Sequence, residues 1–253
     1  MKCFEKYGNK GIAMLASGKE ASGLSDGTDI ENSTLVIDVG CGTGLLTLML
    51  SEKGFDMTGL DVSYEMLERA RENESKLGTG HKEEGTGHVL WLCQDMTKMD
   101  MFGSYAAMIG TTDCVNHLTG EKKADSFLKR SINFVDPGGI LIFDFLTPEY
   151  FEKIDRAGIM VDETDTGTCI WSGKYNAKTK MIRYDVTCYD EIGEGLYERY
   201  DDVVKERAYT NNEMIEKVTG AGYTIMGTFD GYTFKRAHER SLRVVVVAKK
   251  EVA

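Results

Sequence analysis

The phrase Val36-Ile37-Asp38-Val39-Gly40-Cys41-Gly42-Thr43-Gly44, running into the apolar stretch Leu45 to Leu50, constrains this chain more than any other segment. A β-branched run that stops at alternating glycines and restarts as an apolar helical pattern is a buried strand, a tight loop and a helix start. A strand without polar alternation is buried on both faces, which calls for parallel neighbours and crossover helices. Glycine in the loop permits positive φ and lets a ligand touch backbone. A dinucleotide fingerprint, G-x-G-x-x-G, would put its third glycine at position 45, where this chain has leucine; the glycine comes one residue early, at 44. Asp38 also places an acid where a pyrophosphate would lie. Both departures disfavour NAD and suit S-adenosylmethionine, which carries an ammonium and a sulfonium and no phosphate.

The pattern downstream alternates strands and helices. Phe55 to Leu60 reads as a second strand, and Ser63 caps a helix to about Leu77, with Met66, Leu67 and Ala70 at helical spacing. His88 to Cys93 and Tyr105 to Ile109 read as the next two strands. A helix from about Glu121 to Phe134 leads through Pro137-Gly138-Gly139 to a fifth strand, Ile140 to Phe145. Alternation of this kind predicts a doubly wound, Rossmann-like α/β sheet. Asp61 ends the second strand, 21 positions after Gly40, where a carboxylate can accept from both ribose hydroxyls. Asp95 ends the third, placed to accept from an adenine amino group, with Met96 packing on the ring.

After Pro148 the pattern changes. Strand signals follow one another from Thr168 to Tyr209, and Ile182 to Cys188 alternates apolar and polar residues as a half-solvated antiparallel strand does. The expectation is a single domain over 1–253 with an antiparallel β-meander inserted at 162–209, covering the active-site edge. Thr210-Asn211-Asn212-Glu213 is a capping box opening a helix that stops at Gly220-Ala221-Gly222. Two closing strands follow, about Tyr223 to Phe229 and Leu242 to Ala248. Gly-Thr-Gly-His occurs twice, at 78–81 and 85–88, and reads as a small duplication in a surface loop.

Composition narrows the partners. A net charge of −11 opposes a dedicated nucleic-acid binder, which needs a positive field. The six cysteines form no C-x-x-C pair and no zinc-spaced cluster, so neither a metal site nor a disulfide framework is expected. No apolar run reaches membrane-spanning length and no leader pattern opens the chain, which predicts a cytoplasmic protein without a membrane partner, as monomer or homodimer.

These residues carry a family resemblance. The chain is similar to small bacterial class I methyltransferases with a D-x-G-C-G-T-G motif, among them the sugar N-methyltransferases. The likeness continues through Gly59 to Leu67, Gln94-Asp95-Met96, Asp113 to Leu118, Pro137-Gly138-Gly139 to Phe143-Asp144, Glu206 to Thr210, and Glu213-Met214. It implies a seven-stranded sheet whose last strand is antiparallel. It further implies that Asp38, Gly40, Cys41, Gly42, Thr43 and Gly44 hold the methionyl part of S-adenosylmethionine. Asp61 would hold the ribose, Asp95 and Met96 the adenine, and Gly110 and Thr111 would line the reactive end, with Val62 and Met66 also counted among the cofactor-binding residues. Relatives carry a tyrosine-bearing N-terminal helix over the cofactor. Here 34 residues precede the first strand, and Ser17 to Asp29 is rich in Gly and Ser, so a shortened or missing lid is expected.

His117 is the candidate base, because it follows the fourth strand and an unperturbed imidazole titrates near neutrality. In related sugar N-methyltransferases a histidine at a similar place is thought to position or deprotonate the acceptor amine; capping or orienting the next helix is the competing role. The meander brings Trp171, Tyr175, Tyr184, Tyr189, Tyr197, Tyr200 and Tyr209 with Arg183, Arg199 and Arg207, an aromatic and partly basic roof for a small acceptor. Most of these aromatics are expected to pack the meander on the sheet, and one or two to face the pocket. The reading is methyl transfer to a small molecule with a nitrogen or oxygen nucleophile. The rivals are a tRNA or RNA methyltransferase, a cofactor-binding protein with little or no transfer, and an NAD-dependent oxidoreductase. Thr111-Thr112-Asp113-Cys114 stands where base-methylating enzymes carry an Asn-Pro-Pro-Tyr motif.

Overall fold

The computed structural model describes residues 1–17, 33–77 and 87–252. The 78–81 repeat and most of the Ser17 to Asp29 segment lie outside those residues. Two short helices, α1 (Lys2–Tyr7) and α2 (Lys10–Ala16), precede β1 (Leu35–Val39), α3 (Leu45–Ser51), β2 (Asp56–Asp61), α4 (Tyr64–Lys76) and β3 (Val89–Cys93). Next come β4 (Tyr105–Gly110), a 3-10 turn (Cys114–His117), α5 (Lys123–Phe134), β5 (Val135–Leu146) and α6 (Pro148–Ala157). Four strands follow, β6 (Ile159–Thr164), β7 (Gly167–Asn176), β8 (Met181–Gly193) and β9 (Leu196–Arg207), before α7 (Asn211–Gly220), β10 (Tyr223–Asp230) and β11 (Arg243–Lys250).

The main sheet has seven strands in the order β10-β11-β5-β4-β1-β2-β3, and only β11 runs against its neighbours. The strand order reverses direction between β1 and β4, and in open α/β sheets the crevice at that switch is where ligands bind. Alternate residues of each strand feed opposite layers. Ile37, Met108, Leu141 and Val246 meet Phe127 and Leu128 of α5 and Met214 and Val218 of α7. Val36, Ala107, Ile140 and Val247 meet Phe4, Ile12, Leu50 and Phe55 on the other side. The described part of the N-terminal segment is helical: α1 and α2 bury Phe4 and Ile12 in this layer, with Phe4 edge-on to Phe55 at 5.4 Å.

The remaining strands form a separate antiparallel sheet, β6-β7-β8-β9, which begins at Ile159. Trp171, Tyr175 and Val186 of this sheet pack on Phe151 and Ile154 of α6. Sequence patterning missed α6, because Pro148 looks like a stop when it is a helix start: proline at the first helical position forfeits no hydrogen bond. It also began β5 at Ile140, whereas pairing to β4 already starts at Val135, and a register shift lets the strand pass Gly138 at φ +78°. The capping box is half made. Thr210 accepts from the Glu213 N–H at 3.2 Å, while the Glu213 carboxylate goes to Lys180 and Arg207.

Two glycines under the loop serve one side chain. A Cβ on Gly44 or on Gly59 would lie 2.4 Å from the Trp91 ring, whose Nε1 donates to Glu74 at 2.7 Å. Gly59→Ala is expected to displace Trp91 at a cost of about 2 kcal/mol, lowering Tm by roughly 4–8 °C. A thermal melt within 1 °C of the parent would show that the slot is not filled this way.

Candidate active site

The glycine turn directs its own N–H groups inward. Gly40 and Cys41 donate to the Leu60 carbonyl at 2.7 and 3.1 Å, Gly42 to Oδ2 of Asp61 at 2.8 Å, and Gly44 to the Cys41 carbonyl at 3.0 Å. Gly40, Gly42 and Gly44 take φ of +68°, +54° and +76°, the left-handed region that glycine enters without a Cβ penalty. Phosphate-binding loops keep such donors for the ligand. Here they are spent, and the polar groups at the turn are carboxylates. Asp61 also accepts from Ser63 N at 2.9 Å, so each of its oxygens holds one donor and keeps capacity for another.

Asp38 is buried and accepts from Thr47 Oγ1 at 2.7 Å. Burial raises its pKa to about 7, the Thr47 bond opposing and the Asp61 charge assisting. The same burial, with Asp38 and Asp61 close by, pushes the Cys41 thiol far up and keeps it protonated. Asp38, Gly40, Cys41, Gly42, Thr43, Met66, Thr111 and neighbouring leucines line a hollow of about 340 Å³. A Cβ on Gly42 would meet nothing within 4 Å, so the hollow is open above the turn. An adjoining hollow of about 590 Å³ shares Leu45, Leu46, Thr111 and Thr112 and extends between α1, Phe229 and Phe234.

The other sequence-derived candidates take distinct places. Gly44 caps α3 and backs onto Trp91, and Gly110 backs onto Cys114 and Val39. Val62 and Met66 are large apolar side chains left exposed beside the turn. Met96 reaches the turn, its Cε 3.4 Å from where a Gly40 Cβ would be. The Asp95 carboxylate is held by Thr97; burial works against its charge, but the Thr97 N–H and hydroxyl, both at 2.8 Å, keep its pKa low.

A second group of side chains lies beyond β4. Thr112 and Asp113 are consecutive non-glycine residues at φ +57° and +58°, a conformation that costs roughly 1–2 kcal/mol per residue. Asp144 of β5 holds them there, accepting from Thr112 N at 3.1 Å, Asp113 N at 2.6 Å, Arg243 Nη1 at 2.9 Å and the Tyr232 hydroxyl. Arg243 also donates to Asp113 at 2.7 Å. His117 is half-exposed, with Nε2 3.9 Å from Oε1 of the buried Glu206 on β9. Burial and the Asp113 charge raise the Glu206 pKa to about 7 against the pull of Arg243. Asn116, fully buried, donates to the Leu146 and Arg207 carbonyls at 3.0 and 2.7 Å and accepts from Leu146 N at 2.9 Å.

Sequence reasoning did not single out Arg243 or Tyr232, and it quoted Asp144 and Glu206 only within matching segments, without a role. Asp144 left one signal, a charge inside the apolar run Ile140 to Leu146. The roof proves more structural than its composition implies. Arg183 and Arg199 pair along their own strands with Asp185 and Asp201, and Arg207 pairs with Glu213 beside Tyr209. Tyr209 is buried with its hydroxyl on the Leu118 carbonyl at 2.9 Å, and Trp171 bonds Asp162 at 2.8 Å. Trp171 and Arg207 thus act as scaffold, while Tyr197 and Tyr200 remain exposed.

Comparison with known proteins agrees with this geometry. Residues 36–139 match the methyltransferase domain family. A protein of Geobacillus sp. (strain WCH70) that bears a provisional methyltransferase name is 27% identical over 215 residues, covering 85% of this chain and 84% of its own. Among solved structures, an S-adenosylmethionine-dependent methyltransferase from Clostridium acetobutylicum superposes with a TM-score of 0.74 at 21% identity, covering 86% of this chain and 84% of its own. The S-adenosylmethionine-bound amino pentose methyltransferase CalS10 from Micromonospora echinaspora gives 0.64 at 20%, covering 93% and 89%. At those identities the structural likenesses speak for the fold. Among the described residues no helix is long and apolar enough to cross a membrane.

Proposed function

Starting from an S-adenosylmethionine-dependent methyltransferase, we propose that the chain methylates a nitrogen or oxygen nucleophile of a small molecule admitted beside Thr111 and His117. The observation that carries this reading is the pairing of modest hollows, about 340 and 590 Å³ and joined at Thr111 and Thr112, with an acidic rim. Asp38 and Asp144 line the hollows and Asp113 lies beside Asp144, so carboxylates outnumber Arg243, a field that repels a polyanion such as RNA. The residues at the turn fit the cofactor. The four bonded amides and the two carboxylates disfavour a pyrophosphate and suit a nucleoside bearing positive charge. Asp38, with Gly40 to Thr43, would meet the methionyl ammonium, Asp61 the ribose hydroxyls, and Met96 and Asp95 the adenine. Gly110 and Thr111 would close the reactive end.

When bound, the cofactor supplies a methyl group already activated by its sulfonium. The protein's share is alignment and exclusion of water, and holding reactants in near-attack geometry is worth roughly 7–11 kcal/mol. The whole chain serves as one methyltransferase domain, with residues 162–209 covering the acceptor edge. His117 orients the acceptor and takes its proton where one must leave. The test is turnover of S-adenosylmethionine against a panel of amines, alcohols, carboxylates and tRNA. A small acceptor should be methylated, and His117→Ala should lower kcat about 100-fold with cofactor affinity unchanged. Methylation of tRNA alone would overturn the reading.

Asp38 makes cofactor binding pH-dependent. The ionised carboxylate favours the ammonium, so affinity should rise as pH passes upward through about 7. At pH 6 it should be about tenfold weaker than at pH 8, with proton release on binding. Calorimetry in buffers of different ionisation heat reads this directly. Asp38→Asn should flatten the profile, and an unchanged profile would remove Asp38 from the site.

A further inference from the structure

We propose that Asp113, His117 and Glu206 form a binding site for one divalent metal ion at the acceptor edge. The fold brings them together from distant places: Asp113 and His117 flank the turn after β4, and Glu206 lies near the end of β9. Each offers one ligand atom, and these atoms lie within 4.8 Å of one another, His117 Nε2 and Glu206 Oε1 at 3.9 Å. Ligand atoms around an ion bonded at about 2.0–2.2 Å stand roughly 3 Å apart. Closing the gap therefore takes side-chain shifts on the order of 1 Å, which a half-exposed imidazole can make.

Two independent observations ask for a cation at this place. Oε2 of Glu206 is buried without any hydrogen-bond donor, on a side chain only 9% exposed. The surrounding charge is also unbalanced. Asp113, Asp144 and Glu206 face one guanidinium, Arg243, which is bonded to the first two and does not reach the third. Arg207 turns away to Glu213. With Glu206 held ionised by a bound cation, three carboxylates would face one guanidinium, a deficit that a divalent ion offsets. One imidazole nitrogen with two carboxylate oxygens suits Mn²⁺ or Zn²⁺ better than Mg²⁺ or Ca²⁺, which favour oxygen alone. Three protein ligands leave coordination positions open toward the exposed side of His117. An acceptor oxygen or nitrogen could enter there; in the metal-bound chain His117 would position the acceptor as a ligand, and the proton-accepting role given above would belong to the metal-free imidazole.

The experiment is titration of the chelator-treated full chain with Mn²⁺, followed by electron paramagnetic resonance. One Mn²⁺ should bind per chain in the micromolar range and be displaced by Zn²⁺. Glu206→Gln and His117→Ala should each weaken it about tenfold or more. His117 is half-exposed, so the second variant stays folded should the first not. Absence of binding below millimolar Mn²⁺, or full retention in His117→Ala, overturns the proposal. The readout uses neither cofactor nor acceptor, so such a failure leaves the methyl-transfer reading standing. That reading falls separately, by failure of the unmodified chain to bind S-adenosylmethionine.

Discussion

Arg243→Ala is expected to lower stability by about 3 kcal/mol, on the order of 6–12 °C in Tm, and to loosen the turn beyond β4. The Asp144 side chain is 1% exposed, and Arg243 is the cation bonded to it. Without the guanidinium its charge rests on Thr112 N, Asp113 N and the Tyr232 hydroxyl, too few donors for a carboxylate out of water. Removing one partner of a buried pair costs roughly 3–5 kcal/mol, and the 24% exposure of Arg243 argues for the lower end. Thr112 and Asp113 should then relax from positive φ, and acceptor KM should rise more than cofactor Kd. Arg243→Lys should recover only part, because an ammonium cannot fork between Asp113 and Asp144. Urea denaturation of the three proteins decides it; a difference below 1 kcal/mol would mean that Asp144 is neutralised by other means.

Asp61→Ala should weaken S-adenosylmethionine binding about 10- to 100-fold, a loss of roughly 1.4–2.8 kcal/mol by calorimetry, with NAD binding to neither protein. The carboxylate has two duties, clamping Gly42 N and Ser63 N at 2.8 and 2.9 Å and facing the site. Hydrogen bonds to a charged group contribute roughly 1.5–3 kcal/mol, which sets the expected range. Asp61→Asn separates the duties: an amide oxygen can keep one clamp but cannot accept from two ribose hydroxyls as well. Its affinity should fall between the parent and the alanine variant. Parent-like affinity in Asp61→Ala would dismiss the carboxylate from the cofactor site.

What could be read from sequence was what the chain writes contiguously. Strand, glycine turn and helix start fit inside the span from Val36 to Leu50, and the turn's ligand preference followed from Asp38 and the early Gly44. The strand–helix alternation up to β5 was legible because burial on both faces erases polar alternation. The β4 edge was not. Asp144 meets Thr112, Tyr232 and Arg243 from as far as 99 positions away, and Glu206 meets His117 across the second sheet. No periodicity encodes such encounters. The roof was legible only in part for a related reason: alternation tells which residues share a face but not which face is inside. It could not say which one or two of the aromatics turn to the pocket, and Trp171, Tyr184 and Arg207 are among the side chains that pack.

Asn116 gives the fold a seam as well as a joint. Its single amide ties the end of β5, the end of β9 and the turn before α5. A designer exchanging the four-stranded sheet between relatives, to retarget one enzyme with another's specificity, would naturally cut near Leu146 and Ala208. Both cuts fall on partners or neighbours of this amide, so a graft that leaves the donor's residue 116 behind would arrive with orphaned carbonyls at its root. Modularity here extends to 30 residues upstream of the apparent module, and transplanted chimeras should include that asparagine in the package.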